Sequence, residues 1–181
     1  MKRPHFVVSA VVLVSISCAD GPEALDLMGP AVVVQGSSTE SSALAGPVAA
    51  TGEFAAVVDF TTLTLRPRGK NCLLQVDGEL VFSGTIEGVA TGTTTALVLA
   101  TCTEVASTPP GTHRDVFKSE LEFEGTITGV PARADMIYQG RVQEGGRIEG
   151  RIIASRGLAG VLQVDAQVAV GGSYSGSIAV H

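Results

Sequence analysis

Few side chains in this sequence have the type and spacing that chemistry demands. Beyond the first segment the histidines are His113 and His181. The cysteines other than Cys18 are Cys72 and Cys102, with no Cys-x-x-Cys pair. Metal centres need clustered His, Cys or carboxylate ligands, so no metal site is expected. Gly172-Ser-Tyr-Ser-Gly176 has the glycine spacing of a hydrolase elbow, but Tyr174 stands where the nucleophilic serine belongs. A phosphate-cradling glycine loop must open a helix, and no helix is expected, so no cofactor is expected either. What remains is a set of groups suited to binding. Alternation places Tyr138, Tyr174 and Met136 on an inward face, and His113 lies in the long irregular stretch 103–116. The tyrosines could hydrogen-bond or protonate a ligand, or could be core residues with satisfied hydroxyls. His113 and Asp115 belong either to a lid or recognition loop or to an exposed polar tip.

The elements that must position these groups are strands. Leu121, Phe123, Gly125 and Ile127 share one parity, while Glu120, Glu122, Glu124 and Thr126 share the other. Ile148, Gly150 and Ile152 oppose Arg147, Glu149 and Arg151 in the same way, as do Leu162, Val164, Ala166, Val168 and Val170 against Gln163, Asp165 and Gln167. Period-two alternation of this kind marks half-buried antiparallel strands. Turn signals such as Pro67-Arg-Gly-Lys70, Glu87-Gly88 and Glu144-Gly-Gly146 separate them. The expected strands are 54–66, 71–86, 89–102, 117–127, 132–142, 147–154, 160–170 and 173–180. Asp77-Gly78 is read as a bulge inside a long strand, because Leu74, Val76, Leu80 and Phe82 keep their alternation across it. Outward carboxylates opposite Arg133, Arg141, Arg147 and Arg151 are read as solvated cross-strand pairs.

An internal repeat sharpens the pattern. Glu79-Leu-Val-Phe-Ser-Gly-Thr-Ile-Glu-Gly-Val89 aligns without gaps on Glu120-Leu-Glu-Phe-Glu-Gly-Thr-Ile-Thr-Gly-Val130, with eight of eleven positions identical. Its shorter core returns at Ile148–Ile152 and Tyr174–Ile178, and each copy carries an inward glycine: Gly84, Gly125, Gly150 and Gly176. Inward glycines either let strands coil tightly or clear space for a ligand. The fold class expected is all-β: an eight-stranded antiparallel up-and-down β-barrel, which removes the sheet edges.

The repeated Phe-x-Gly-Thr-Ile-x-Gly-Val and the closing Gly-Leu-Ala-Gly-Val at 157–161 resemble a bacterial domain family of unknown function. That family is grouped with the allene-oxide-cyclase-like barrels, and the likeness covers roughly Gly78 to Val180. The resemblance implies a lipocalin-like barrel with an inner cavity. It does not imply cyclase activity, because no motif here matches cyclase site residues.

The first segment has the form of an export signal. Lys2 and Arg3 precede an apolar run, Phe6 to Ser17, that is too short for the ~20 residues of a membrane span. Ser15-Ile-Ser-Cys18 allows ordinary cleavage before Cys18, and it also resembles a bacterial lipobox in which Cys18 would be acylated. The expected organisation is therefore a signal peptide at 1–17, a flexible tether at 18–53 rich in Gly, Ser, Pro and Ala, and a barrel domain at 54–181. The chain would sit in the periplasm or outer envelope by a lipid anchor, or be secreted. In such an oxidising compartment Cys72 and Cys102 are expected to form a disulfide, by lying opposite each other in a hairpin about Glu87.

Removing Lys2 and Arg3 takes the formal charge from −6 to −8, which offers nucleic acid no electrostatic footprint. A membrane-spanning barrel is disfavoured by an aromatic content of 4% and by charged faces along several strands. Three functional readings stand: an envelope module binding a small apolar ligand, an isomerase or cyclase of hydrophobic substrates, and a structural or interaction domain with a filled barrel. Catalysis is the reading with no residues of its own. Mass spectrometry of the native N-terminus tests the anchor: acylated Cys18 is expected, and an unmodified start would contradict it.

Overall fold

The computed structural model describes residues 46–181. The expected signal peptide, Cys18 and the expected tether as far as residue 45 lie outside the described residues. The strands are β1 (Val48–Arg68), β2 (Asn71–Gly84), β3 (Ile86–Val98), β4 (Asp115–Ile127), β5 (Val130–Val142), β6 (Arg147–Ser155), β7 (Leu158–Gln167) and β8 (Gly171–Val180). One short helix, α1 (Cys102–Ser107), interrupts the series between β3 and β4. Each strand pairs antiparallel with its neighbours in sequence, and β1 pairs with β8, closing an up-and-down barrel. All eight expected strands are present in the expected order. The barrel begins at Val48, earlier than the expected Phe54, because Val48 to Gly52 already pair along β8.

Alternation fixes which side chains enter the barrel. Phe117, Ser119, Leu121 and Phe123 on β4 are buried, and the intervening Lys118, Glu120, Glu122 and Glu124 are exposed. The outer charges pair across strands as Arg133–Glu124 at 2.6 Å and Arg147–Asp165 at 3.0 Å. Such solvated pairs contribute at most about 1 kcal/mol each, so the interior carries the stability. An apolar interior with charged outer faces is the reverse of a lipid-facing barrel.

The tightest hairpins follow their turn chemistry. Thr128-Gly129 joins β4 to β5, and Arg156-Gly157 joins β6 to β7, in each case with positive φ at both central residues. That backbone matches the twist of the flanking strands. The β2–β3 reversal lies at Thr85 and not at the expected Glu87-Gly88, since Phe82 still pairs with Gly88. Tyr174 stitches this corner. Its hydroxyl accepts from Ile86 N at 2.9 Å and donates to Ser83 O at 3.1 Å.

The inward glycines answer a packing need. Gly84 pairs with Gly52, Gly125 with Gly88, and Gly150 with Gly140, so paired strands meet without side chains between them. A Cβ on Gly125 would lie 2.7 Å from Phe123 Cζ, and one on Gly150 would lie 3.2 Å from Tyr138 Cε2. The space is taken by aromatic rings folded over the glycines, which supports coiling over ligand clearance. Phe82 is the hub of that packing, with ring centroids 5.7 Å from Phe54, 6.0 Å from Phe123 and 5.7 Å from Tyr174.

Two further features of the strand series depart from the sequence reading. Gly78 lies in unbroken β2, and the irregularity sits opposite it on β1. There the register passes from Asp59↔Asp77 to Thr64↔Gln75, extruding Phe60 to Leu63. Asp59 holds this bulge by accepting from Thr61 N and Thr61 Oγ1, and Thr62 Oγ1 accepts from Asp77 N. The other departure is α1. Its N-terminus is held by Thr101-x-x-Glu104, a capping box in which each side chain meets the other residue's backbone N–H.

The Cys72–Cys102 disulfide is present, with Cα atoms 4.9 Å apart. Its geometry is not the expected cross-strand one. β3 ends at Val98, which is the residue opposite Cys72, and Cys102 opens α1. The bridge therefore fastens the β3–β4 connection to β2, over a small cluster of Val98, Ala100, Leu65 and Val105. Replacing both cysteines with alanine should cost about 2–4 kcal/mol in urea unfolding, as expected for a closed loop of this length. Equal midpoints for the double variant and the oxidised protein would refute that role.

Candidate functional site

The barrel is filled unevenly along its axis. At the end holding the β2–β3, β4–β5 and β6–β7 turns, the aromatic hub and Tyr174 occupy the interior. At the other end the inward residues are smaller: Ala56 on β1, Gly78 on β2, Thr94 and Ala96 on β3, and Ser119 on β4. They leave a cavity of about 330 Å³, within the range of small-molecule sites. Val76, Leu80, Phe117, Leu121 and Tyr138 complete its walls. The β3–β4 connection roofs it through Val105, Ala106 and the run from Thr108 to His113, and the β1 bulge supplies Phe60 and Leu63 at its rim.

Two polar atoms in this apolar space lack protein partners. The Tyr138 hydroxyl is buried on a residue only 4% exposed, and no described protein group hydrogen-bonds it. Asp115 Oδ1, at the start of β4, is equally without a partner. Buried polar groups are normally satisfied, so an orphaned pair in one cavity points to a ligand or solvent partner. Desolvation pushes the Asp115 carboxyl up to about 7 and raises the Tyr138 phenol well above its usual range. A third polar station is self-contained, because Thr94 Oγ1 and Ser119 Oγ lie 2.7 Å apart and satisfy each other. Thr94, Ser119 and Tyr138 face one another in register across β3, β4 and β5.

Of the residues singled out in the sequence, the structure brings Tyr138 and His113 to the cavity. His113 is half-buried in the roof, with Nε2 3.1 Å from Thr108 Oγ1, and is not a free tip. Met136 and Tyr174 do not line it. Met136 is 1% exposed within the core, and the Tyr174 hydroxyl is committed to the β2–β3 corner at the packed end. Burial raises the Tyr174 phenol, an effect opposed by its hydrogen bond with Ile86. Asp115 is the residue that sequence reasoning undervalued. It shares the parity of Phe117, Ser119 and Leu121, so starting the strand at Asp115 would have placed it inside.

No family model matches this sequence, and no curated protein matches it. Among solved structures, it is similar to a protein of unknown function from the DUF3224 family of Shewanella oneidensis MR-1. The two chains are 16% identical, with a TM-score of 0.49, and the match covers 75% of this chain and 98% of the other.

The raised Asp115 pKa carries a stability signature. The unfolded chain ionises this carboxyl near pH ~3.9 and the folded one near 7, so the folded state binds its proton more tightly. Its contribution to stability is therefore full below pH ~4 and is lost as pH rises to about 7. Asp115→Asn should gain on wild type across that window, by on the order of 2–3 kcal/mol once partial exposure is discounted. Urea midpoints at several pH values provide the test. Parallel curves for the two proteins would show that Asp115 is not desolvated.

Proposed function

We propose that this protein is an exported binding module whose barrel holds a small, largely apolar ligand with at least one hydrogen-bonding group. The observation that carries this reading is the cavity with two unpartnered polar atoms, Tyr138 Oη and Asp115 Oδ1, in otherwise apolar walls. An apolar body would be held by burial of its surface, and the two polar groups would fix its orientation. A filled-barrel structural domain would have no use for orphaned polar groups at one end of its core. The likeness of the repeated strand-and-glycine unit to allene-oxide-cyclase-like barrels belongs to the same reading.

In the anchored form of this proposal, acylated Cys18 fastens the chain. It enters the barrel at Val48, beside Ile178, at the packed end opposite the cavity. The charged pairs on the outer faces, Arg133–Glu124 and Arg147–Asp165, suit an aqueous compartment.

Catalysis is favoured by one observation, the Asp115 carboxyl that would exchange a proton near neutrality. An isomerase or cyclase of hydrophobic substrates would use it as its acid or base. Binding takes precedence because it needs only the cavity, whereas turnover also needs a second group set against the reacting atom.

The test is titration of the purified protein with N-phenyl-1-naphthylamine, an uncharged fluorophore that brightens in apolar sites. Saturable binding is expected, and Ala96→Phe, which fills the cavity from β3, should weaken it at least ~10-fold, about 1.4 kcal/mol. Absence of saturable binding, or equal binding by the filled variant, would overturn the proposal.

A further inference from the structure

The cavity has a charge character that its apolar walls conceal. Its lining residues include no Lys or Arg, while Asp115 brings a carboxyl to its wall. On the outer faces Arg133 pairs with Glu124, Arg147 with Asp165 and Arg156 with Asp135, and Arg114, beside Asp115 in the sequence, is exposed and does not line the cavity. The basic residue of the roof that does line the cavity, His113, is bonded to Thr108. A carboxylate ligand would enter such a site without a counter-ion and with Asp115 nearby. A buried charge that lacks a partner costs several kcal/mol, so that class of ligand is rejected.

The same walls suit a cation. Two residues along β4 from Asp115, at the next inward position, stands Phe117, whose ring centroid is 4.8 Å from that of Tyr138 in an edge-to-face pair. Carboxylate and aromatic faces together are the chemistry that recognises ammonium groups. Depth adds a length requirement. Ser119, also on the inner face of β4, is directly opposite Tyr138. The Asp115 and Tyr138 levels are therefore four residues apart, ~13 Å along the strand at the backbone.

We propose that the ligand is a largely apolar molecule with an amine at one end and a hydrogen-bonding group at the other, its ammonium paired with Asp115 at the mouth and its body lying along Phe117 towards Tyr138. The proposal rests on the binding reading above and specifies the chemical class of the ligand. The Tyr138 hydroxyl then accepts or donates a hydrogen bond at the far end of the body. The ion pair at Asp115 discriminates among molecules of similar shape.

Three competitors with the same body decide the matter: 4-phenylbutylamine, 4-phenylbutanol and 4-phenylbutanoate, each used to displace N-phenyl-1-naphthylamine from the full protein at about pH 8, where both amine and carboxyl are charged. The amine should displace the fluorophore at a concentration at least ~10-fold lower than the alcohol, with the carboxylate weakest of the three. Asp115→Asn should remove the preference for amine over alcohol. The wild-type comparison stands without the variant, so a folding defect in it would not obscure the result. Equal displacement by the three competitors, a preference for the carboxylate, or an amine preference that survives in Asp115→Asn would overturn the amine assignment and leave the binding reading standing. Failure of the fluorophore and all three competitors to bind would overturn both.

Discussion

Closure of the sheet is the constraint on which the rest of the structure depends. β1 must pair with β2 on one side and β8 on the other, and this double pairing removes every free strand edge. It also fixes an interior that side chains must fill, because an eight-stranded barrel is just wide enough to be packed or to admit one small molecule. This chain does both. Phe54, Phe82, Phe123 and Tyr174 fill one end, packed over cross-strand glycine pairs that let the strands approach closely. Towards the other end the inward positions hold Ala56, Ala96, Thr94 and Ser119, and their small volumes leave the cavity.

The two buried tyrosines show how local context gives one residue type two roles. Tyr174 meets the β2–β3 corner, where Gly84 has φ +106° and the turn leaves Ile86 N–H and Ser83 C=O free of ladder bonds to each other. Its hydroxyl satisfies both. Tyr138 packs its ring over Gly150 and against Phe117, but its hydroxyl has no hydrogen-bond partner among the described residues. The mouth is shaped by equally local causes. A bulge held by Asp59 and Thr62 widens one side, and a capped helix tied down by the Cys72–Cys102 bridge roofs it.

Much of the fold was legible because strand alternation is a direct projection of the sequence onto two faces. Leu121, Phe123 and Ile127 lie inside as their parity demands, and the repeated unit containing Gly84 and Gly125 marks positions where strands must approach closely. The cysteine pairing was also legible, but its geometry was not. Spacing alone cannot separate Cys102 on a strand from Cys102 on a helix whose signal, Thr101 and Glu104, spans four residues. The β1 bulge was hidden because a bulge belongs to a pair of strands, and only the register shows which partner carries the extra residues. For the candidate site, Tyr138 was visible as a polar group on an apolar face, and His113 by its place in the long irregular stretch between two strands. Asp115 was lost by starting β4 two residues late. Volume was out of reach, because a cavity depends on which small residues meet across strands distant in sequence.

The central claim is that this barrel is packed at one end and hollow at the other. A crystal structure of the protein under xenon pressure tests it most directly, because xenon settles in apolar cavities large enough to hold it. The result expected is a xenon site bounded by Ala96, Phe117, Leu121 and Tyr138, with none among Phe54, Phe82 and Tyr174. A roof collapsed into the barrel, with no xenon site there and the Tyr138 hydroxyl bonded to protein, would contradict it.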